Sequence, residues 1–182
     1  MIPFDRQPSL TGSFLQLRPL RSEDWAALFA VASDPLLWEQ HPSSDRYKED
    51  VFRQFFEEAL NSGGALAAVE RSSGEIVGSS RYYGFDADQS IVEIGWSFLA
   101  RRCWGGIYNG EMKRLMLEHA FKTVARVIFI IGPKNRRSRR AVEKIGAAYV
   151  VTANIRGRES VVYELTKSAF ETGPLSVAAD AH

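Results

Sequence analysis

Residues 97–121, SFLARRCWGGIYNGEMKRLMLEHAF, run from an alternating apolar segment through two arginines and two glycines into a helical pattern. Strand, glycine turn and helix start in direct succession point to an α/β chain, and they also build an anion site. The first turn of a helix leaves backbone N–H groups unpaired, and the macrodipole favours negative charge there. Glycine lets a phosphate approach that backbone closely. The stretch is not a Walker A loop, because no Gly-Lys-Ser/Thr follows, and it lacks the G-x-G-x-x-G spacing of dinucleotide folds. A plain strand-to-helix connection would read the same way, so the context decides.

The rest of the chain supplies that context. Leu15 and Leu17 lead into Arg18-Pro19-Leu20, a short strand closed where proline removes a backbone donor. Trp25, Leu28, Phe29 and Ala32 then follow at helical spacing, ending before Asp34-Pro35, and a second helix carries Val51, Phe52, Phe55, Phe56 and Ala59 up to Ser62-Gly63-Gly64. Between them lies a loop over 37–47. Strand patterns over 65–70, 76–83 and 91–99 are separated by turns short enough for an antiparallel meander. A short strand over 127–131, a helix over 138–145 and a hairpin of 149–155 with 160–165 complete the order. One domain over 1–182 is expected, with its core in 14–165 and loosely ordered termini over 1–13 and 166–182.

Lys and Arg (23) nearly balance Asp and Glu (22), so no global field points to nucleic acid or to an anionic membrane. The single cysteine, Cys103, excludes an internal disulfide, and three scattered histidines argue against a zinc site. No apolar run approaches the ~20 residues that span a bilayer, and the N-terminus MIPFDRQPSL lacks a secretory pattern, so a cytoplasmic protein is expected.

Arg102-x-x-Gly105 opening a helix, then Asn135-x-x-Ser138 and Glu143-Lys144-Ile145-Gly146 after the strand VIFII, resemble the GNAT superfamily of acyl-CoA-dependent N-acetyltransferases. VEIGWSFL and LQLRPLRSEDWAALFAVASDP are similar to its ribosomal-protein N-terminal (RimJ/RimL-like) branch. The resemblance implies a mixed, mostly antiparallel central sheet of about seven strands flanked by about four helices, and acetyl-CoA as co-substrate without a metal. It places the pantetheine arm against the backbone of Phe98 and Leu99, like an added strand, with Asn135, Ser138 and Arg139 beside the cofactor. The pyrophosphate falls to the loop of Arg102, Trp104, Gly105, Gly106, Ile107 and Tyr108. Arg102 and Gly105 match the family's R-x-x-G-x-G/A, whereas Ile107 departs from its last small position. A residue with a β-branched side chain does not readily take positive φ, so any such conformation should fall on Gly105 or Gly106.

Acetyl transfer needs a neutral amine, a donor for the developing oxyanion and a proton for the departing thiolate. The resemblance implies a backbone N–H near Phe98 or Leu99 as the oxyanion donor. Glu93 is the candidate base, against the bland reading of a solvated strand side chain. Where many family members carry a tyrosine acid this chain has Val142, which leaves Ser138 as the substitute, or else as the cap of its helix. At pH 7 a lysine amine costs roughly 4.6 kcal/mol to deprotonate and an α-amine only about 1 kcal/mol, so a lone carboxylate suits the second. The acceptor is therefore expected to be a protein or peptide N-terminus or a small amine, lodged between Trp38, His41, Tyr82 and Tyr83 unless these are core or rim packing. His119 reads as structural, and an acetylated Cys103 stays a remote option. The basic run Lys134, Arg136, Arg137, Arg139 and Arg140 is a solvated face, a phosphate contact or a ribosomal surface. Alternatives to the enzyme are a catalytically inactive CoA-binding module and a ribosome- or RNA-associated module. No membrane partner is expected, nucleic acid enters only through a ribosomal substrate, and a homodimer is compatible with the reading.

Overall fold

The computed structural model describes residues 4–177. Eight strands form one sheet: β1 (Leu10–Thr11), β2 (Leu15–Pro19), β3 (Ala65–Glu70), β4 (Ile76–Asp86), β5 (Ile91–Leu99), β6 (Arg126–Ile131), β7 (Ala148–Ile155) and β8 (Arg158–Thr166). Their order across the sheet is β1-β2-β3-β4-β5-β6-β8-β7. Every adjacent pair is antiparallel except β5 with β6. The connection between those two is α3 (Ile107–Ala120), the crossover that a parallel pair requires. Helices α1 (Trp25–Ala32), α2 (Glu49–Asn61) and α4 (Arg136–Lys144) complete the main framework.

Two apolar clusters sandwich the sheet, and the period of two along β3 shows how the strands serve both. Leu66 and Ala68 enter the cluster under α3, with Met112, Met116 and Leu117, while Ala65 and Ala67 enter the cluster under α1 and α2. On α2 the buried residues Phe52, Phe55, Phe56 and Ala59 recur at three and four positions, one stripe of a helix. Truncating Phe52, which is fully buried, would cost about 3–5 kcal/mol. The fold is thus the mixed, mostly antiparallel α/β arrangement expected from sequence, with β1 as an additional edge strand.

Three local expectations are corrected. The helix expected at Ser138 begins at Arg136, because the Asn135 side chain caps it by accepting from the Ser138 N–H at 3.1 Å, so Ser138 is not the cap. The C-terminal segment expected to be loose carries α5 (Lys167–Glu171) and α6 (Pro174–Val177), anchored by buried Phe170 against Phe121. At the other end Phe4 is buried edge-on to Tyr82, with ring centroids 5.1 Å apart. The outermost residues of both expected loose termini lie outside the described residues.

Candidate functional site

The parallel pairing of β5 with β6 runs through Ile91↔Arg126, Val92↔Val127 and Glu93↔Ile128 and stops there. Beyond that pair the two strands part, and residues 94–97 and 129–132 become facing walls of a cavity of about 430 Å³. A β-bulge in β5 sits at the parting. Ser79 pairs with Phe98 but Arg81 with Gly95, so Trp96 and Ser97 together face Ser80, and Trp96 is held at φ 52°. The extra residue inverts the strand's facing. Ile94 lies on the α3 side, yet Phe98, four residues on, packs with Trp38, Phe52 and Phe55 on the α2 side. Strain of this kind at a left-handed non-glycine residue persists only where surrounding structure imposes it, and it gathers at functional sites.

The cavity is lined by Asn109 in the first turn of α3, the helix that the glycine turn opens. Gly105 takes φ 67°, Gly106 is an extended N-cap without a side chain, and Ile107 opens the helix. Positive φ thus falls on a glycine, as the β-branched Ile107 requires, and Ile107 is 52% exposed. Trp104 donates its indole N–H to the Leu99 carbonyl at 2.9 Å and lies under the Arg137 guanidinium at 3.9 Å. Arg137 also donates to the Leu37 carbonyl, and its backbone N–H to Gln40, which joins α4 to the 37–47 loop. Another hollow, over the exposed face of α2, is lined by Glu49, Asp50, Arg53, Gln54 and Glu57.

Of the residues expected to act, Glu93, Asn135, Ser138, Trp38 and His41 all line the cavity. Glu93 is not solvated: it is 3% exposed and takes two charge-assisted bonds from Arg156, the first at 3.2 Å. Taking a proton would cost it that pair. His41 accepts from the Ser43 N–H at 2.9 Å, and burial with nearby Arg46 pushes its pKa down to about 3.

Other expected residues are placed elsewhere. Tyr82 does not line the cavity; neighbouring strand residues face opposite sides, and Tyr82 points into the α3 core, donating to the Met116 carbonyl at 2.6 Å. Tyr83 is on the opposite side at the rim, packed on Trp96 at 5.3 Å. The Arg102 guanidinium, expected at a phosphate, instead clasps Glu70 at 2.9 and 3.0 Å and Glu75 at 3.2 Å, and the Tyr108 hydroxyl donates to Glu70 at 2.6 Å. Those bonds, Arg102 first and then Tyr108 and Ser73, hold the Glu70 pKa down to about 2. Arg139 is likewise engaged, donating to the Tyr163 hydroxyl and the Pro133 carbonyl. Phe98 and Leu99 bury their side chains, leaving only backbone to offer. The Cys103 thiol is buried and its pKa is raised by that burial, which argues against a nucleophile.

Sequence reasoning missed Lys113, whose ammonium enters the cavity wall from α3, donates to Ser97 Oγ at 2.7 Å and lies 5.5 Å from the Phe129 ring centre. A signal existed: Lys113 shares the buried stripe of Met116, Leu117 and Ala120 at spacings of three, four and seven. It also missed Arg46, Arg156 and Arg158, which converge on the cavity from distant segments.

Among the described residues no group of three or more His, Cys, Asp or Glu is placed to hold a metal, and no helix is long and apolar enough to cross a membrane. The solved GCN5-related N-acetyltransferase from Brucella melitensis superposes with a TM-score of 0.81 at 20% identity, over 98% of this chain and 86% of that one. RimJ from Mycobacterium smegmatis, solved in complex with CoA-disulfide, gives 0.68 at 20% identity over 91% and 89%. At such identities the likeness is one of fold. The uncharacterized protein YkkB of Bacillus subtilis (strain 168) is 33% identical over 100 residues, which is 53% of this chain and only 58% of that relative's length. The acetyltransferase (GNAT) domain family matches residues 15–148, from the first residue of β2 to the first of β7 and so across both walls of the cavity, and the chain belongs to that family.

Proposed function

We propose that this domain moves an acetyl group from acetyl-CoA to a primary amine, by direct attack of the amine and without a covalent enzyme intermediate. Its acceptor is a protein or peptide N-terminus or a small amine, in the manner of the RimJ/RimL-like branch. The observation that carries this reading is the parting of β5 from β6 at Glu93, with the bulge at Trp96, beside a helix opened by a glycine at positive φ. The residues present fit the cofactor. β5 past Glu93 has left its ladder with β6, so its backbone groups can pair with an extended arm, and the side-chain-free cap of α3 offers its first-turn N–H groups to phosphate. When bound, acetyl-CoA supplies an acyl group activated as a thioester.

The chain's own residues do the rest. Backbone N–H groups near Phe98 and Leu99 serve as donors to developing negative charge, and Asn135 and Ser138 border the same space. Glu93 receives or orients the amine's proton. Because Arg156 already holds that carboxylate, the acceptor has to be an amine that deprotonates cheaply, which favours an α-amine over a lysine side chain.

The Arg156 clasp on Glu93 and the apolar Val142 at the cavity wall also favour a second reading, a module that binds CoA without turning it over. One experiment separates the two: thermal unfolding with acetyl-CoA, followed by CoA release with peptide N-termini, polyamines and aminoglycosides. Stabilisation by about 2.7 kcal/mol at one hundred times the dissociation constant, with CoA released by at least one amine, is expected. Stabilisation without release selects the second reading. Neither stabilisation nor calorimetric heat contradicts both.

A further inference from the structure

The end of the cavity away from the glycine turn is crowded with guanidinium groups. Arg46 reaches it from the loop before α2, Arg156 from the β7–β8 turn, Arg158 from the start of β8, and Arg81 from β4 lies immediately behind, 4.5 Å over the Trp96 ring that forms part of the wall. Arg46 and Arg81 share a platform, lying 4.5 and 5.6 Å from the centre of the Phe55 ring. Arg81 is 4% exposed, and its Nε and Nη2 have no hydrogen-bond partner among the described residues. The one polar side chain within hydrogen-bond distance of the Arg46 guanidinium among the described residues is His41, with Nη1 3.2 Å from Nε2, and Arg158 donates to Ser43 Oγ at 2.8 Å.

Of these four cations only Arg156 has a carboxylate within ion-pair distance among the described residues, and that carboxylate is Glu93. The other acids at the cavity wall, Glu58 and Glu159, are exposed, and Glu58 accepts from Gln54 instead. Burial and the neighbouring guanidinium groups lower the pKa of both Arg46 and Arg81 to about 10, with Glu58 offsetting this in part, joined by Asp45 for Arg46 and by Glu93 and Tyr83 for Arg81. A cation drawn partly or wholly out of water with no carboxylate in direct contact is costly and is kept where something supplies that contact.

We propose that this end of the cavity recognises an anionic group on the acceptor itself, so that the substrate is an amine bearing a nearby carboxylate. The inference rests on the acetyltransferase reading above and names its substrate class. Arginine suits the role, because its planar fork of donors matches a carboxylate. The same cluster eases the chemistry. Like charge disfavours an ammonium, so an amine brought beside Arg46 and Arg156 loses its proton more readily than in water. A site whose one buried carboxylate is already clasped by Arg156 thereby needs less of a base.

A free amino acid and a peptide with an acidic residue beside its N-terminus share this chemistry, and paired substrates distinguish them. CoA release is measured for aspartate and glutamate against their fully amidated forms, and for peptides beginning Ser-Asp against Ser-Asn. The carboxylate member of at least one pair should show kcat/KM higher by about tenfold or more. Arg46→Gln and Arg81→Gln should collapse that ratio towards one while acetyl-CoA affinity, read by calorimetry, is unchanged. Arg46→Lys, which keeps the charge, should retain part of the ratio and covers the case where the glutamine variants fold poorly. As a readout free of turnover, the N-acetylated acid should bind the CoA-loaded protein more tightly than its amide. Equal rates and equal binding within every pair, or a preference for polyamines, would overturn the inference while leaving the acetyltransferase reading intact. A protein that does not bind acetyl-CoA at all would instead remove the reading beneath it.

Discussion

Lys113 ends in an ammonium where the neighbouring members of its helical stripe, Met116, Leu117 and Ala120, end in hydrocarbon, and burial pushes its pKa down to about 8 from 10.5. Between those two values the unfolded chain binds more protons than the folded one, so this group makes stability rise with pH across the window. Below about 8 its full penalty is present. Lys113→Met should therefore stabilise the fold at pH 7 by on the order of 2 kcal/mol, with the gain shrinking as pH approaches 10. Urea unfolding of the two proteins at both pH values checks this; a gain independent of pH would contradict it. Glu70 shows the opposite sign. Its lowered pKa contributes stability above the ordinary carboxylate range that is lost as pH falls towards 2, so Arg102→Met should move acid unfolding to higher pH. For Glu93 the test is kinetic. Glu93→Gln should slow single-turnover transfer while leaving acetyl-CoA affinity unchanged, with a deficit that narrows as pH rises, and a variant as fast as the parent at pH 7 removes Glu93 from the chemistry.

Among the elements, the joint between β2 and α3 is the most sharply specified. Glu111 of α3 is buried and accepts the backbone N–H groups of Ser13, Phe14 and Leu15 at 2.7, 2.8 and 2.7 Å, binding the start of an outer strand to the central helix. A side chain at Gly12 would put its Cβ 2.4 Å from the Glu111 carboxyl carbon. Glu111→Ala strands three donors and should cost about 3 kcal/mol in denaturant titrations, and Gly12→Ala should destabilise in the same direction because the carboxylate has to move. Most elements were legible because their periodicity is local: the phenylalanines of α2 and the meander of β3 to β5 announce themselves. The two-residue β1 was not, since it has no pattern of its own and exists by pairing Leu10 with Leu17. Nor was the bulge. Nothing in the string IVEIGWSFL says that Trp96 will take a left-handed conformation, because the slip arises from pairing with β4, and that slip puts Ser97 beside Lys113.

At the scale of the molecule, the sequence shows the order of elements and the glycine turn, while the opposite end of the cavity emerges only when distant segments meet. Arg46, Arg81 and Arg156 come from a loop, a central strand and a turn tip, and no spacing along the chain relates them. Arg156 lies in the turn of the β7–β8 hairpin, at φ 52° next to Gly157 at 78°, and that turn also delivers its guanidinium to Glu93. Tyr82 and Tyr83 show the complementary error, adjacent letters sent to opposite faces of the sheet. The central claim is that the gap between β5 and β6, entered past the glycine turn, holds acetyl-CoA. Titration calorimetry with acetyl-CoA on the parent, Ile107→Ala and Gly105→Val tests it most directly. The account predicts binding by the parent, affinity within about tenfold for Ile107→Ala because that side chain is exposed and the backbone N–H, which alanine keeps, is the donor, and a clearly larger loss for Gly105→Val, where valine cannot readily hold φ 67°. An undetectable parent rescued by Ile107→Ala, or a Gly105→Val variant that binds as the parent does, would contradict it.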